Sequence, residues 1–289
     1  MSPKIGQREK VEEVVSSIVQ RVARLDGLVA FAVGGSSVRQ VAGVDEASDI
    51  DLYAFVQEPL EADAREALMN ALGVTNRDNL AVDYWGASDQ WVDPGSGKHV
   101  DLMYFEAPWM RQEIETVLDH HRARLGYTTC FCYTIAHATP LLDPHGWLAE
   151  IQRKCRQPYP EPLRERIVTA NHRAMRGILS SYEAQIRKAA ARGDLVSVNH
   201  RIAALVASYF DILFAANRQL HPGEKRLIAL AQELCPARPV TMESDLAAVL
   251  ARSGSTAKVV QPVTRLLDQL DGFVALLAIA EGAIGPLTT

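Results

Sequence analysis

A chain of 289 residues is long enough for two domains and a sizeable core. Hydrophobic residues at 48% and charged residues at 22% describe an ordinary globular protein and exclude disordered and fibrous classes. A net charge of −5 argues against a nucleic-acid-binding surface while leaving room for a local basic patch, and no apolar run reaches the length of a membrane span.

The first residues, Met1 to Lys10, lack an apolar signal core, so the expected location is the cytoplasm. The cysteines fit that compartment. Cys130 and Cys132 share an apolar segment, Cys155 and Cys235 stand alone, and none has metal-ligand spacing. They read as reduced and mostly buried thiols.

In chain order, Val11, Val14, Val15, Ile18, Val19, Val22 and Leu25 recur at helical spacing and predict an amphipathic helix over 7–25. An apolar strand over 28–33 runs into Gly34-Gly35-Ser36-Ser37, a turn expected to open a short helix through Gln40, since serine accepts from the free N–H groups of a helix start. The alternation from Asp49 to Phe55 predicts a second strand over 50–56. Pro59 begins a helix to about Leu72. Further strands are expected at 80–85 and 99–105, separated by the turn chemistry of Asp93-Pro94-Gly95-Ser96-Gly97. A helix is expected from Pro108 to about His121. Tyr127 to Ala136 reads equally as strand or helix. Thr139 to Pro144 is a short extended crossing, followed by a helix over 146–156. Gln157-Pro158-Tyr159-Pro160-Glu161-Pro162 is the clearest punctuation, and the pattern beyond it is helical, with helices near 162–192, 195–220, 223–234, 241–253 and 256–282. The expectation is therefore an α+β chain, with a mixed α/β domain over 1–150 and an all-helical domain over 151–289.

The candidate chemistry lies in the first domain. Successive side chains of a strand alternate in direction, so Asp49 and Asp51 project together while Ile50 and Leu52 enter the core. Two adjacent carboxylates resist double ionisation unless a cation sits between them, and a hard ion such as Mg²⁺ accepts such oxygen ligands together with phosphates. Asp101 alternates with Val100 and Leu102 on a later strand and can supply a third carboxylate. The Gly35-Ser36 turn, with its backbone N–H groups, can hold a phosphate. Together these pieces match metal-assisted phosphoryl transfer. Gly95-Ser96-Gly97-Lys98 is not a P-loop. Val92 stands where its first glycine belongs, His99 replaces Ser/Thr, and a strand follows.

Gly35-Ser36, then Asp49-Ile50-Asp51, then Asp101 resembles the signature of the DNA polymerase β-like nucleotidyltransferases, which include the aminoglycoside and lincosamide nucleotidyltransferases. Residues from Ser197-Val198-Asn199-His200-Arg201 to His221-Pro222-Gly223-Glu224-Lys225-Arg226 resemble a bacterial group carrying a DUF4037-type region. The first resemblance implies a short mixed sheet flanked by helices and two Mg²⁺ ions on Asp49, Asp51 and Asp101. It also implies transfer of NMP, AMP from ATP in the first instance, to a hydroxyl of a small-molecule acceptor such as an antibiotic. Pyrophosphate leaves, and the helical half selects the acceptor. Relatives often carry an arginine directly after the Gly-Ser pair. Here Ser37 takes that place, with Arg39 as a substitute.

Within this reading Asp101 is the general base, and Gly35, Ser36, Arg39, Ser48 and Lys225 hold the nucleotide. Lys225 is read either as a triphosphate contact or as a surface lysine. Asn199, His200 and Asn217 either line the acceptor pocket or hydrogen-bond within the bundle. The expected partners are an NTP and a small hydroxyl acceptor, without membrane or nucleic acid, for a monomer or homodimer. The competing readings are the antitoxin partner of a ribonuclease toxin, a regulatory adenylyltransferase of protein or RNA, and a non-catalytic nucleotide-binding relative.

Overall fold

The computed structural model describes residues 4–34, 49–83 and 86–280. The chain divides into two compact units. One comprises Met1–Glu115 with Phe131–Gln157, and the other Thr116–Cys130 with Pro158–Thr289.

The first unit is built on a five-stranded mixed sheet: β1 (Leu28–Gly34), β2 (Ile50–Val56), β3 (Ser88–Val92), β4 (His99–Glu106) and β5 (Thr139–Leu142). Its spatial order is β3-β4-β2-β1-β5. β1 is antiparallel to β2 and β5, β3 is antiparallel to β4, and β2 and β4 run parallel. The parallel pair needs a long crossover, which contains α2 (Ala62–Ala71) and β3.

Period-two alternation puts Phe31, Val33, Ile50, Leu52, Val100 and Leu102 on one face of the sheet. There they pack with Ile18 and Val22 of α1 (Lys4–Val22) and Leu68 and Met69 of α2. Each such side chain contributes about 1.5–3 kcal/mol through its removal from water. The opposite face carries Asp51, Tyr53 and Phe55 of β2 and Asp101, Met103 and Phe105 of β4. Phe105 meets Trp109 of α3 (Ala107–Leu118) and Phe131 of α4 (Cys130–His137) at ring-centroid separations of 6.3 and 6.4 Å. Trp147, at the start of α5 (Trp147–Cys155), meets Phe55 at 5.1 Å.

The second unit is helical over its described residues, with α6 (Glu161–Met175), α7 (Tyr182–Ala191), α8 (Leu195–Ala216), α9 (Leu227–Leu234), α10 (Met242–Arg252) and α11 (Val260–Ala280). From Ala207 to Ala216 α8 is buried all round, as its mostly apolar run requires, with Ser208 and Asp211 buried among the apolar side chains. Asp194 caps it by accepting from the Ser197 N–H at 3.0 Å. Arg176 draws three elements together, donating to Glu183 of α7 at 2.7 Å and to Asp268 and Asp271 of α11 at 2.7 and 2.6 Å. The Arg176 hydrogen bond, acting against burial, holds the Glu183 carboxyl down at about 2. No helix among the described residues is long and apolar enough to cross a membrane.

Several local expectations are corrected. The segment over 80–83 forms only a bridge between Val82 and Ser88, and the strand lies at 88–92. Tyr84 and Trp85 lie outside the described residues, as does the short helix expected after Ser36. Residues 130–137 are helix. The crossing at 139–142 is a strand, pairing with β1. The single helix expected over 162–192 is two. Arg176 is extended, Gly177 takes φ +99°, open to glycine alone without strain, and Ser181 caps α7. Helix α9 starts at Leu227, after Arg226 in a left-handed conformation, and not at Gly223.

Candidate active site

The sheet register assembles the site. Ile50 pairs with Val100 and Asp51 with Asp101, so the two aspartates are direct neighbours on the same face. Neighbouring strands lie about 4.8 Å apart, so the two carboxylates can share one cation. Both are half-buried. Gln90 of β3 is Asp101's partner on the other side and donates from Nε2 to Oδ2 at 3.3 Å. Four adjacent positions therefore read Gln90, Asp101, Asp51, Gly34 across the sheet.

One step toward the strand starts, Asp49 lies beside His99, with Oδ1 3.8 Å from Nδ1. Both are exposed or half-exposed there, Asp49 standing just ahead of the first residue of β2. Among the described residues no group of three His, Cys, Asp or Glu side chains is arranged to hold a metal ion. The expected triad thus resolves into the Asp51–Asp101 pair and an Asp49 turned to His99. The donors are carboxylate oxygens, the type a hard divalent cation takes.

Gly34 closes the row. A Cβ placed on it would stand 1.9 Å from Cε2 of Tyr53, so the ring occupies the space a side chain at this position would need. Tyr53 leads from Asp51 into the aromatic rings of Phe105, Trp109 and Phe131. Gly35, Ser36, Arg39 and Ser48 lie outside the described residues.

The second-unit candidates do not come together. Lys225 is exposed in the turn ahead of α9, not in the helix. Asn199 donates to the Leu195 and Ser253 carbonyls at 2.9 and 3.1 Å. Asn217 donates to the Leu213 and Ala237 carbonyls at 2.8 and 2.7 Å and accepts from the Ala237 N–H at 2.9 Å. These amides tie the two ends of α8 to neighbouring turns, and His200 is exposed. At 1.5 Å per residue the two asparagines stand about 27 Å apart along the helix.

The buried polar groups of this unit lie elsewhere. Asp211 accepts from Thr128 N–H at 3.1 Å, Thr128 Oγ1 at 2.7 Å and Asn171 Nδ2 at 3.1 Å. Burial pushes its carboxyl up to about 6 against the pull of those bonds. His221 is wholly buried between Tyr127 and Phe214, and burial lowers its imidazole to about 4. Its Nδ1 accepts from the Gly223 N–H at 3.1 Å.

Sequence reasoning missed Gln90 and His99 at the site. The signal for His99 was present, since it stands two residues before Asp101 in the same alternation. Gln90 lay in a segment not read as a strand.

The DUF4037 family model, a domain of unknown function, matches residues 131–227. No curated protein matches the chain. Among solved structures the chain is similar to a nucleotidyltransferase-like protein from Exiguobacterium sibiricum 255-15. That match has 11% identity and a TM-score of 0.42, covering 96% of this chain and 82% of that one. It is also similar to the spectinomycin adenyltransferase AAD(9) from Enterococcus faecialis, solved with ATP and spectinomycin. Here identity is 12% and the TM-score 0.31, over 91% of this chain and 98% of that one. The segment from Ser197 to Arg226, which resembles that group in sequence, lies inside the matched stretch.

Proposed function

We propose that the chain is a Mg²⁺-dependent nucleotidyltransferase that moves NMP, AMP from ATP in the first instance, to a hydroxyl of a small-molecule acceptor. The observation that carries this reading is the direct pairing of Asp51 with Asp101 on adjacent parallel strands of the sheet's polar face. Two carboxylates brought side by side at a strand register, with a third two residues upstream, are a costly arrangement without a cation to relieve it.

Asp51 and Asp101 hold the ion, and Asp49 joins them by leaving His99. A bound divalent ion supplies neutralisation of the triphosphate's charge and a clamp on the reacting oxygens. Asp101 accepts the proton of the acceptor hydroxyl. The hydroxyl oxygen bonds to the α-phosphorus, the bond from that phosphorus to the bridging oxygen breaks, and its electron pair leaves with pyrophosphate. Gln90 keeps the Asp101 carboxylate in place. The resemblance of Gly35-Ser36, Asp49-Ile50-Asp51 and Asp101 to the motif of the aminoglycoside and lincosamide nucleotidyltransferases makes a hydroxylated antibiotic the first acceptor to try.

The test is a thermal-shift screen of the four NTPs with Mg²⁺, followed by pyrophosphate release against a panel of hydroxylated acceptors. Metal-dependent NTP stabilisation and acceptor-dependent pyrophosphate release are expected. NTP binding indifferent to EDTA would refute the assignment.

A further inference from the structure

Edge strand β3 carries Asp89 on its core face and Gln90 on its polar face, and these two neighbours face different environments. Asp89 is 1% exposed. Its Oδ1 accepts from Ala81 N–H at 2.7 Å and Arg65 Nη2 at 3.1 Å, and its Oδ2 from Arg65 Nε at 3.1 Å and Tyr104 OH at 2.8 Å. Arg65, itself 5% exposed, also donates to Asp83 at 3.1 Å and to the Ser88 carbonyl, and its guanidinium carbon lies 5.1 Å from the Tyr104 ring centroid. Strand β4, helix α2 and the 81–83 segment all converge on this one carboxylate.

We infer that Gln90 is a positioning residue for Asp101, and that the buried Arg65–Asp89 ion pair fixes the register that brings it there. The inference rests on the metal-carboxylate reading of the site. A buried ion pair is a weak source of stability, and its best-attested use is to specify register. Register matters most here, because β3 has one neighbouring strand and five residues. A slip of one position turns every side chain to the other face. A slip one way would put Asp89 beside Asp101 and Ser88 opposite Leu102, and a slip the other way would put Trp91 beside Asp101 and Gln90 opposite Leu102. In the observed register a neutral amide donor meets Asp101 Oδ2 at 3.3 Å. A neutral donor orients a carboxylate without cancelling the charge a cation needs, whereas a lysine or arginine at the same place would compete with the cation. Groups that hydrogen-bond a ligating carboxylate in this way commonly govern metal affinity.

The test uses the full chain and Mn²⁺ alone, with free Mn²⁺ followed by electron paramagnetic resonance. Gln90→Met keeps the bulk and removes the donor. It is expected to weaken Mn²⁺ binding by about tenfold or more, with the melting midpoint in EDTA unchanged. Asp89→Asn keeps the shape of the buried group and is expected to weaken Mn²⁺ binding too. Combining it with Gln90→Met should add little further loss, because both act through one hydrogen bond. Asp51→Asn is the control that removes a ligand. If Asp51→Asn loses Mn²⁺ while Gln90→Met binds it as wild type does, the positioning role is overturned and the functional reading stands. Fully additive losses would overturn the register link, and a Gln90→Met loss matched by a lower midpoint would make the role structural. A wild-type chain that binds no Mn²⁺ would overturn both readings.

Discussion

Asp51 faces Asp101 across the parallel pair of strands at the centre of the sheet, each half-buried, with no intervening residue in the register. The pairing makes the metal-free state less stable than it could be. Asp51→Asn is expected to raise stability in EDTA by roughly 0.5–1 kcal/mol, a modest figure because water screens half-exposed charges. The same substitution should abolish the thermal stabilisation that Mn²⁺ gives the wild type. Paired melting curves with EDTA and with Mn²⁺ check both signs.

Gly34 and Tyr53 supply a second test. A methyl group on Gly34 would meet Tyr53 at 1.9, 2.5 and 2.7 Å, and the ring is 7% exposed with little room to retreat. Gly34→Ala should cost about 1–3 kcal/mol through overpacking. In Tyr53→Leu the ring is gone, and adding Gly34→Ala to that background should cost much less. Denaturant unfolding of the four proteins gives the coupling.

Breaking the Arg65–Asp89 pair from one side is predicted to be severe. Arg65→Met leaves a carboxylate buried without its cation, at about 3–5 kcal/mol. Arg65→Met combined with Asp89→Leu should recover much of that loss. Burial, then the Asp89 charge, pushes the Tyr104 hydroxyl far up, so it remains a donor throughout any accessible pH range. Chemical denaturation at neutral pH compares the single and double variants.

The second unit contains two titrating groups whose effects oppose each other. Asp211 rises from 3.8 to about 6 on folding, because burial disfavours its charge. Its contribution to stability is fully present below pH 3.8 and is lost as pH rises through about 6. His221 falls from 6.5 to about 4, also by burial. Its contribution is present above pH 6.5 and is lost as pH falls through about 4. Each amounts to something on the order of 3 kcal/mol, so between pH 4 and 6 they offset. Asp211→Asn should steepen the loss of stability on acidification in that window. His221→Asn, which keeps an acceptor for the Gly223 N–H, should make the chain gain stability relative to wild type as pH falls. Differences from wild type in denaturation midpoints across pH 4 to 7 read this directly, since other carboxylates such as Glu183 titrate equally in all three proteins.

Much of the architecture was legible in the sequence because periodicity is a local property. The alternation over 49–55 and 99–105 identified two strands and assigned Asp49, Asp51 and Asp101 to one face, since a strand's side chains reverse at every residue. The Pro-rich stretch from Gln157 to Pro162 marked the change from mixed to helical structure, because proline ends regular hydrogen bonding. What a pattern of period two cannot contain is which strand lies beside which, or at what offset. That Asp51 meets Asp101, that Gln90 reaches Asp101, and that Asp49 turns to His99 are properties of register, set when the sheet assembles. Strand β3 was illegible for a related reason. Asp89 is a charged residue whose burial rests on Arg65, 24 positions earlier in the chain, together with the Ala81 N–H and the Tyr104 hydroxyl. Asn199 and Asn217, on an apolar helix, read either as pocket residues or as hydrogen-bonding groups of the bundle. Packing placed the Ser253 and Ala237 carbonyls within their reach, a tertiary proximity that no sequence pattern contains.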